Sequence, residues 1–228
     1  MEQRVVAVIP AAGSGSRMGA NTNKILLEIM GRPILAFTLD VFEHCPLVHR
    51  VILVASEKDI FSLNEIVKLE GYSKVQSIVR GGSTRAESVC IGVQEAQNAD
   101  FIVVHDAARA LLTEDILVRT IHKAFETGAA IAAVPAVDTI KVAHNMQIEK
   151  TLERSALWCA QTPQVFQSDL LTDALGNGNM ELTDDASALE YAGIPVAIEM
   201  GSYENIKITT PLDLTIAETV LYKRKHKL

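Results

Sequence analysis

The chain has little cysteine, glycine or proline, and it lacks long apolar runs. Of its 228 residues only 3 are cysteines, at Cys45, Cys90 and Cys159. An odd number of widely separated cysteines without a C-x-x-C pair favours free thiols in a reducing cytosol over a disulfide framework or a zinc site. Glycine (13) and proline (7) are too few for a fibrous or low-complexity protein. No apolar run approaches the ~20 residues of a membrane span, and the N-terminal segment lacks the pattern of a signal peptide.

Positive charge is also in deficit. The 21 Lys and Arg residues against 28 Asp and Glu residues give a formal net charge of −7. An acidic chain binds nucleic acid or anionic membranes poorly, because contacts to phosphate backbones and headgroups need a basic surface. We therefore expect neither a nucleic-acid partner nor a membrane partner. A phosphate compound can still bind where a few lysines and arginines converge.

Hydrophobic residues make up 48% of the chain and charged residues 21%, which excludes wholesale disorder. A chain of this length buries about 70% of its unfolded surface, so its core needs no disulfide or metal. At roughly 150 residues per domain, we expect a single domain over residues 1–228 with a projecting arm.

Short apolar segments alternate with helical patterns through the first half of the chain. Segments rich in Val and Ile predict strands at 5–9, 51–55, 75–79, 101–105 and 129–134. Their nearly continuous apolar character is typical of strands covered on both faces. Between them, apolar residues at helical spacing predict four helices, the last capped by Thr113 and ended by Gly128. This alternation predicts an α/β fold with a doubly wound, mostly parallel sheet.

The second half of the chain is patterned differently. Polar–apolar alternation on both sides of a turn-like His-Asn-Met predicts a two-stranded β-arm at about 137–157. An isolated hairpin is marginally stable in water, so we expect the arm to pack on something, such as another subunit. We further predict helices near 169–175 and 184–192, strands at 196–200 and 206–209, and a last helix that begins with Thr210 as cap and Pro211 at its first position.

The strongest local signal is the sequence PAAGSGSRMG at 10–19, directly after the first strand. Glycines and small residues let a backbone approach a ligand, and successive N–H groups can cradle phosphate oxygens. The segment matches neither G-x-G-x-x-G nor a Walker loop. Arg17 and Lys24 supply the positive charge that a triphosphate needs. The alternative is a tight strand-to-helix turn with solvated charges, but two nearby cations favour a phosphate site.

A second loop, GGSTR at 81–85, follows the third predicted strand, and Ser88 comes one helical turn later. Ligands of open α/β sheets bind beyond the carboxyl ends of the strands, where both loops are expected. Backbone groups and a serine hydroxyl there could contact the edge of a nucleobase. Alternatively, Ser83 caps the following helix.

A third motif, HDAAR at 105–109, ends the fourth predicted strand. Asp106 there could hold a sugar hydroxyl, a metal or a metal-bound water. The alternative is an ion pair between Asp106 and Arg109 that holds the loop. We interpret His105 as a packed strand residue rather than as a base or ligand, since no His or Glu spacing suits a zinc site.

Seven motifs together carry a family resemblance. PAAGSGSRMG, GGSTRAESV, HDAAR, DTIK, QTPQVF, TDDAS and NIKITTPLDL occur in this order between about Val5 and Ala217. In this the chain resembles the 2-C-methyl-D-erythritol 4-phosphate cytidylyltransferases of the non-mevalonate route to isoprenoids. The resemblance implies a Rossmann-like nucleotidyltransferase fold. The implied reaction forms 4-diphosphocytidyl-2-C-methyl-D-erythritol and pyrophosphate from CTP and the methylerythritol phosphate.

The ribitol-5-phosphate cytidylyltransferases share the loops and QTPQ, so transfer to ribitol 5-phosphate or another polyol phosphate is the alternative. Ala107-Ala108 favours the methylerythritol branch. Two more distant alternatives are a transferase of the same fold that uses UTP or GTP, and a nucleotide-binding regulatory protein without activity.

The resemblance also implies residue roles. Arg17 and Lys24 match the cations that stabilise charge on the CTP phosphates, and Arg154 and Lys207 match residues that hold the acceptor for attack. The implied CTP-binding residues are Ala11, Ala12, Gly13, Gly15, Gly82, Ser83, Ser88 and Asp106. The implied acceptor-phosphate residues are Asp106, Arg109, Thr139, Thr162 and Thr183.

By the same resemblance we expect Mg²⁺, held mainly by the CTP phosphates with Asp106 nearby. The resemblance also implies a homodimer in which the β-arm crosses to the partner's active site. The free thiols predict a cytoplasmic location.

The chain departs from the family pattern at two places. Many members have P-K-Q after the first loop, where this chain has Asn23-Lys24-Ile25. The HDAAR motif is often followed by proline and here by Ala110. Neither departure removes a charged group that the chemistry needs.

Overall fold

The computed structural model describes residues 3–13, 23–176 and 182–226. The strands are β1 (Val5–Pro10), β2 (Glu28–Ile29), β3 (Arg32–Pro33), β4 (Val48–Ala55), β5 (Val75–Arg80), β6 (Phe101–Val104), β7 (Ala129–Pro135), β8 (Lys141–His144), β9 (Gln147–Thr151), β10 (Trp158–Gln167) and β11 (Ala197–Met200). The helices are α1 (Ile34–His44), α2 (Ile60–Glu70), α3 (Arg85–Glu95), α4 (Glu114–Thr127), α5 (Ser168–Gly176), α6 (Ala186–Tyr191) and α7 (Pro211–His226).

Seven strands form the main sheet, in the order β11-β7-β10-β6-β1-β4-β5. β1 runs parallel to β4 and β6, β4 is parallel to β5, and β7 is parallel to β11. Only β10 is antiparallel to its neighbours, β6 and β7, within this sheet. The mostly parallel α/β sheet predicted above is therefore confirmed.

Helices cover both faces of the sheet. Alternate residues of β1 enter different cores: Val5, Ala7 and Ile9 pack on the face that α1, α2 and α4 cover, whereas Val6 and Val8 pack on the face of α3, α5 and α6. All five side chains are fully buried. This two-sided burial explains the continuous apolar sequence of the strands and confirms the doubly wound arrangement.

Close packing positions α3, the helix that follows the second loop. A Cβ atom at Gly92 would overlap the side chains of Val8 and Val54, so only glycine lets α3 lie this close to β1 and β4. Thr84 caps the helix by accepting a hydrogen bond from the Glu87 N–H. The start of α3 is thereby fixed at the carboxyl edge of the sheet.

In the second half of the chain one predicted strand is wrong and one observed strand was missed. The segment 206–209 is not a strand; it is held to the 106–108 loop by a hydrogen bond from the Ile208 N–H to the Ala108 carbonyl (2.9 Å). Its apolar residues pack beneath α7 rather than in a sheet. β10 was not predicted, because its centre contains Pro163 between polar residues, and the register with β7 shifts between Ala160 and Gln164.

The β-arm is confirmed as a hairpin of β8 and β9. Asn145 and Met146 form its turn at positive φ values of 49° and 63°, and nearly all of its side chains are exposed. A hydrogen bond from the Ala136 N–H to the Leu157 carbonyl (2.9 Å) closes its base. Among the helices of the described residues, none has both the length and the apolar content needed to cross a membrane.

Candidate active site

A cavity of about 450 Å³ opens at the carboxyl ends of β1, β5 and β6. Residues 10–13, 23–25, 82–85, 88, 106–108, 207 and 209 line it. The loops that follow parallel strands meet at this edge because the strands all point the same way. The described residues of the first loop therefore share one crevice with the second and third loops.

Most of the predicted residues with a described position fall on its wall. Those that line the cavity are Ala11, Ala12, Gly13, Lys24, Gly82, Ser83, Ser88, Asp106 and Lys207. Arg109 and Thr162 contact Asp106 from behind the wall. Thr139, Arg154 and Thr183 are exposed and are not on the wall. Arg17 and Gly15 lie outside the described residues.

Asn23 links its own segment to Ala11 and to Asp59. Its buried side-chain amide donates to the Ala11 carbonyl (2.8 Å) and to a carboxylate oxygen of Asp59 (2.9 Å). Its amide oxygen accepts from the Ile25 N–H (3.4 Å), at the start of a 3-10 turn over Lys24–Leu26. The asparagine that departs from P-K-Q thus fixes the backbone on both sides of Lys24.

Ser88 shapes the second loop. Its hydroxyl accepts from the Gly82 N–H (3.2 Å) and donates to the Thr84 carbonyl (2.9 Å). Thr84, not Ser83, is the cap of α3, so that alternative for Ser83 is wrong. The N–H and hydroxyl of Ser83 both donate to the Glu87 carboxylate (2.6 and 2.7 Å). These hydrogen bonds fix the conformation of the loop where it lines the cavity.

Asp106 lies among three cations. Its Oδ1 accepts from Arg85 Nε at 3.1 Å, and its Oδ2 lies 2.8 Å from Lys207 Nζ and 3.7 Å from Arg109 Nε. Its N–H donates to the Thr162 hydroxyl (3.1 Å). Burial alone would raise the pKa of Asp106, but Arg85, Lys207 and Arg109 outweigh it and hold the pKa far below its usual value. Asp106 is therefore ionised and does not act as a general acid.

Arg85 also joins Asp106 to a second buried carboxylate. Its Nη1 and Nη2 donate to Oδ1 and Oδ2 of Asp185 at 3.0 and 2.8 Å. The N–H groups of Asp185 and Ala186 donate to the side-chain oxygen of Gln164 on β10. Burial raises the pKa of Asp185, and Arg85 opposes that shift.

Arg85 and Asp185 were not predicted as site residues, although they lie in the motifs GGSTRAESV and TDDAS. One signal was present in the sequence. Arg85 is the first residue of α3, where the helix dipole disfavours a cation. An arginine at such a position calls for anionic partners nearby.

His105 is a packed, neutral residue, as interpreted from the sequence. It is fully buried. The Thr162 hydroxyl lies 2.9 Å from its Nδ1, and the Arg109 carbonyl lies 3.4 Å from its Nε2. A neutral ring that accepts at Nδ1 and donates at Nε2 satisfies both contacts, because the Thr162 oxygen already accepts from Asp106 N–H. Burial lowers the pKa of His105 to about 3.

The described residues contain no group of three His, Cys, Asp or Glu side chains that could hold a metal ion. Both carboxylate oxygens of Asp106 already have cationic partners.

The arm carries Thr139 and Arg154 into solvent. Arg154 Nη1 donates to the Val137 carbonyl at 3.1 Å, which ties the 3-10 turn at Arg154–Ala156 to the base of the arm. Large apolar side chains nearby are also exposed, among them Val137 (63%) and Ile148 (67%). The arm therefore presents a cation and apolar surface without a covering element among the described residues.

Known proteins share both the sequence and the fold. The sequence profile of the family IspD, described as 2-C-methyl-D-erythritol 4-phosphate cytidylyltransferase, matches residues 5–223. The chain is similar to 2-C-methyl-D-erythritol 4-phosphate cytidylyltransferases of Clostridium acetobutylicum (44% identity over 222 residues, 95% of this chain and 97% of that one) and Bacillus licheniformis (43% over 222 residues, 96% of each). It also resembles the crystal structure of 4-diphosphocytidyl-2C-methyl-D-erythritol synthase from Anaerococcus prevotii, with a TM-score of 0.86, 28% identity, and coverage of 97% of this chain and 100% of that one.

The buried histidine predicts a pH dependence of stability. In the unfolded chain His105 takes up a proton as the pH falls below about 6.5, whereas in the folded protein it stays neutral until about pH 3. The free energy of unfolding should therefore fall with decreasing pH in this window, by on the order of 1 kcal/mol per pH unit from this residue. The His105→Asn variant should show a flatter slope between pH 7 and 5, measured by urea unfolding. A parental slope in His105→Asn would contradict the assignment.

Proposed function

The chain belongs to the 2-C-methyl-D-erythritol 4-phosphate cytidylyltransferase family, and we propose that the cavity at the carboxyl edge of its sheet performs the reaction of that family. The chain is a nucleotidyltransferase that transfers the cytidylyl group of CTP to 2-C-methyl-D-erythritol 4-phosphate and releases pyrophosphate. The observation that supports the cavity as the site is the convergence of Lys24, Lys207 and the two small-residue loops on one wall.

The reaction needs charge neutralisation more than proton transfer. A phosphate oxygen of the acceptor attacks the α-phosphorus of CTP in line, and pyrophosphate leaves. The attacking monoester is already anionic, so no general base is required. This agrees with a site whose histidine is buried and neutral and whose aspartate is permanently ionised. The work of the protein is to position the substrates and neutralise their charge.

We assign the nucleotide to the wall formed by the first two loops. Ala11, Ala12 and Gly13 have small or no side chains, so their backbone can approach a base or a phosphate closely. Gly82 and Ser83 lie on the same cavity, held in place by Ser88 and Glu87. The N–H groups of Gly82 and Ser83 are already bonded within their loop, so we assign the contacts to cytosine to the other backbone groups of the two loops.

We assign the phosphates of CTP to Lys24, together with Arg17 of the preceding loop. For the acceptor phosphate we propose Lys207, which lines the cavity, and Arg109, which lies behind the wall and would act through its pair with Asp106. Lys207 pairs with Asp106 at 2.8 Å in the absence of substrate. A dianionic acceptor phosphate would compete with that single carboxylate for the lysine, and Asp106 would retain Arg85.

We further propose Mg²⁺ as the cofactor, held mainly by the CTP phosphates with Asp106 nearby. The lack of a three-ligand cluster among the described residues supports a metal carried by the nucleotide. When bound, the ion would neutralise phosphate charge and favour departure of pyrophosphate.

A homodimer is the proposed assembly. Arg154 and Thr139 are exposed on the arm and lie off the cavity wall of their own chain. A second copy of the chain could supply them to this cavity and cover the exposed apolar residues of the arm, because a two-fold interface exchanges identical segments. We also propose the cytoplasm as the location, since the three cysteines are free and Cys159 is exposed.

The assay that tests the function uses the purified chain with CTP, Mg²⁺ and 2-C-methyl-D-erythritol 4-phosphate, followed by pyrophosphate release. We expect turnover with this acceptor and little with ribitol 5-phosphate, which the names of the relatives do not favour.

Chelation of the metal should abolish turnover, and added Mg²⁺ should restore it. Preferred turnover of ribitol 5-phosphate, or full activity in chelator, would refute the corresponding assignment.

Each of the two cavity lysines should be essential. Lys24→Ala and Lys207→Ala remove a cation from opposite sides of the reacting phosphates, and each should lower kcat/KM by about 100-fold or more. Pyrophosphate release measures the effect, and circular dichroism verifies folding. Lys68→Ala, on an exposed face of α2, is the matched control and should keep parental activity. Near-parental turnover in folded Lys24→Ala and Lys207→Ala would rule out this mechanism.

Mixed subunits test whether the arm serves the partner. Lys24→Ala and Arg154→Ala chains should each be nearly inactive alone. If each site combines Lys24 of one chain with Arg154 of the other, a heterodimer contains one intact site. An equimolar, randomly exchanged mixture should then recover about a quarter of the parental activity. No recovery, with exchange verified by mass spectrometry, would mean that both residues act within one chain.

A further inference from the structure

Arg85 connects the nucleotide loop to the acceptor side of the cavity. All three nitrogens of its guanidinium have carboxylate partners: Nε contacts Asp106, and Nη1 and Nη2 contact Asp185. Its side chain is only 31% exposed, and Asp185 is 3% exposed at the side chain. The arginine is therefore committed to the protein rather than available as a free phosphate ligand.

We propose that Arg85 is a positioning residue of the reaction. It holds Oδ1 of Asp106, so that only Oδ2 contacts Lys207 and the lysine stays available to the acceptor phosphate. The inference rests on the proposed function, in which Lys207 binds that phosphate. It adds a residue for which the family resemblance implied no role.

The two oxygens of Asp106 have separate tasks in this arrangement. Oδ1 faces Arg85 at 3.1 Å, and Oδ2 faces Lys207 at 2.8 Å. Without Arg85 the carboxylate would be free to rotate and to engage Lys207 or Arg109 with both oxygens. A lysine held by two oxygens is less available to a phosphate, because a charge-assisted pair strengthens when it becomes bidentate.

Asp185, the partner of Arg85, is itself held by a hydrogen bond to Gln164 on β10. The Asp185 N–H donates to Gln164 Oε1 (3.1 Å), and Gln164 Nε2 donates to Asp184 (2.8 Å). Gln164 belongs to β10, an interior strand of the sheet. The side chain of Asp106 is therefore connected, through Arg85 and Asp185, to a strand of the sheet and not to a surface loop.

The test must separate positioning from folding. Arg85→Met leaves Asp185 buried and unpaired, which destabilises a protein strongly. The double variant Arg85→Met/Asp185→Leu removes both charges, and replacement of a buried ion pair by apolar residues is often neutral for stability. We expect the double variant to melt near the parental temperature and yet still lack the contact to Asp106.

In the double variant the KM for 2-C-methyl-D-erythritol 4-phosphate should rise about tenfold, the size of one lost hydrogen bond to a charged group. The KM for CTP should stay within about twofold of the parental value. Calorimetric titration with the acceptor gives a readout that does not need turnover, and the affinity should fall by the same factor of about ten.

Arg119→Met is the matched control. Arg119 also joins two carboxylates, Asp115 (3.0 Å) and Glu199, but on α4 and off the cavity wall. It should keep both KM values. A folded double variant with parental acceptor affinity overturns the proposal, as does an equal loss of both substrates, which would indicate general loosening of the site. Absence of turnover in the parental chain would refute the proposed function instead, while the titration would still report on Arg85.

Discussion

The site needs several cations close together, and the repulsion between these cations must be offset by negative charge. Two phosphate compounds approach each other only if positive charge lies between them, yet Lys207, Arg109 and Arg85 would repel one another in a low-dielectric crevice. Asp106 resolves this conflict by contacting all three. Asp185 provides a second negative charge behind Arg85. The buried carboxylates thus allow cations to collect at one place before any substrate arrives.

This balance requires four separate stretches of chain to meet, and the parallel sheet brings them together. Asp106 follows β6, Arg85 begins α3 after β5, and Asp185 lies at the start of α6. Lys207 comes from a segment attached to the Asp106 loop through the bond between the Ile208 N–H and the Ala108 carbonyl. The segment 206–209, predicted as a strand, instead has an irregular backbone, and Lys207 Nζ lies 2.8 Å from Asp106 Oδ2. The irregular backbone there is part of what builds the site.

Features that depend on residues close together in the sequence were predicted correctly, whereas features that depend on distant residues were missed. The five strands of the first half and the arm have local signatures, namely continuous apolar runs and an alternating hairpin, and they were found. The loops that line the cavity were found because glycine and small residues mark close backbone approach. β10 and the Arg85–Asp185 pair were missed. The strand is interrupted by Pro163, and the two charges are 100 residues apart, so only the folded chain shows that each neutralises the other.

Where the family pattern has P-K-Q, this chain has Asn23-Lys24-Ile25, and hydrogen bonds of Asn23 fix the backbone next to the lysine. Proline restricts the backbone before the lysine covalently. Asn23 achieves restriction through three hydrogen bonds, to Ala11, Asp59 and Ile25. These bonds also tie Lys24 to the first residues of the glycine-rich loop, which proline cannot do because it lacks a side-chain donor. The cation is thus held relative to the loop it serves.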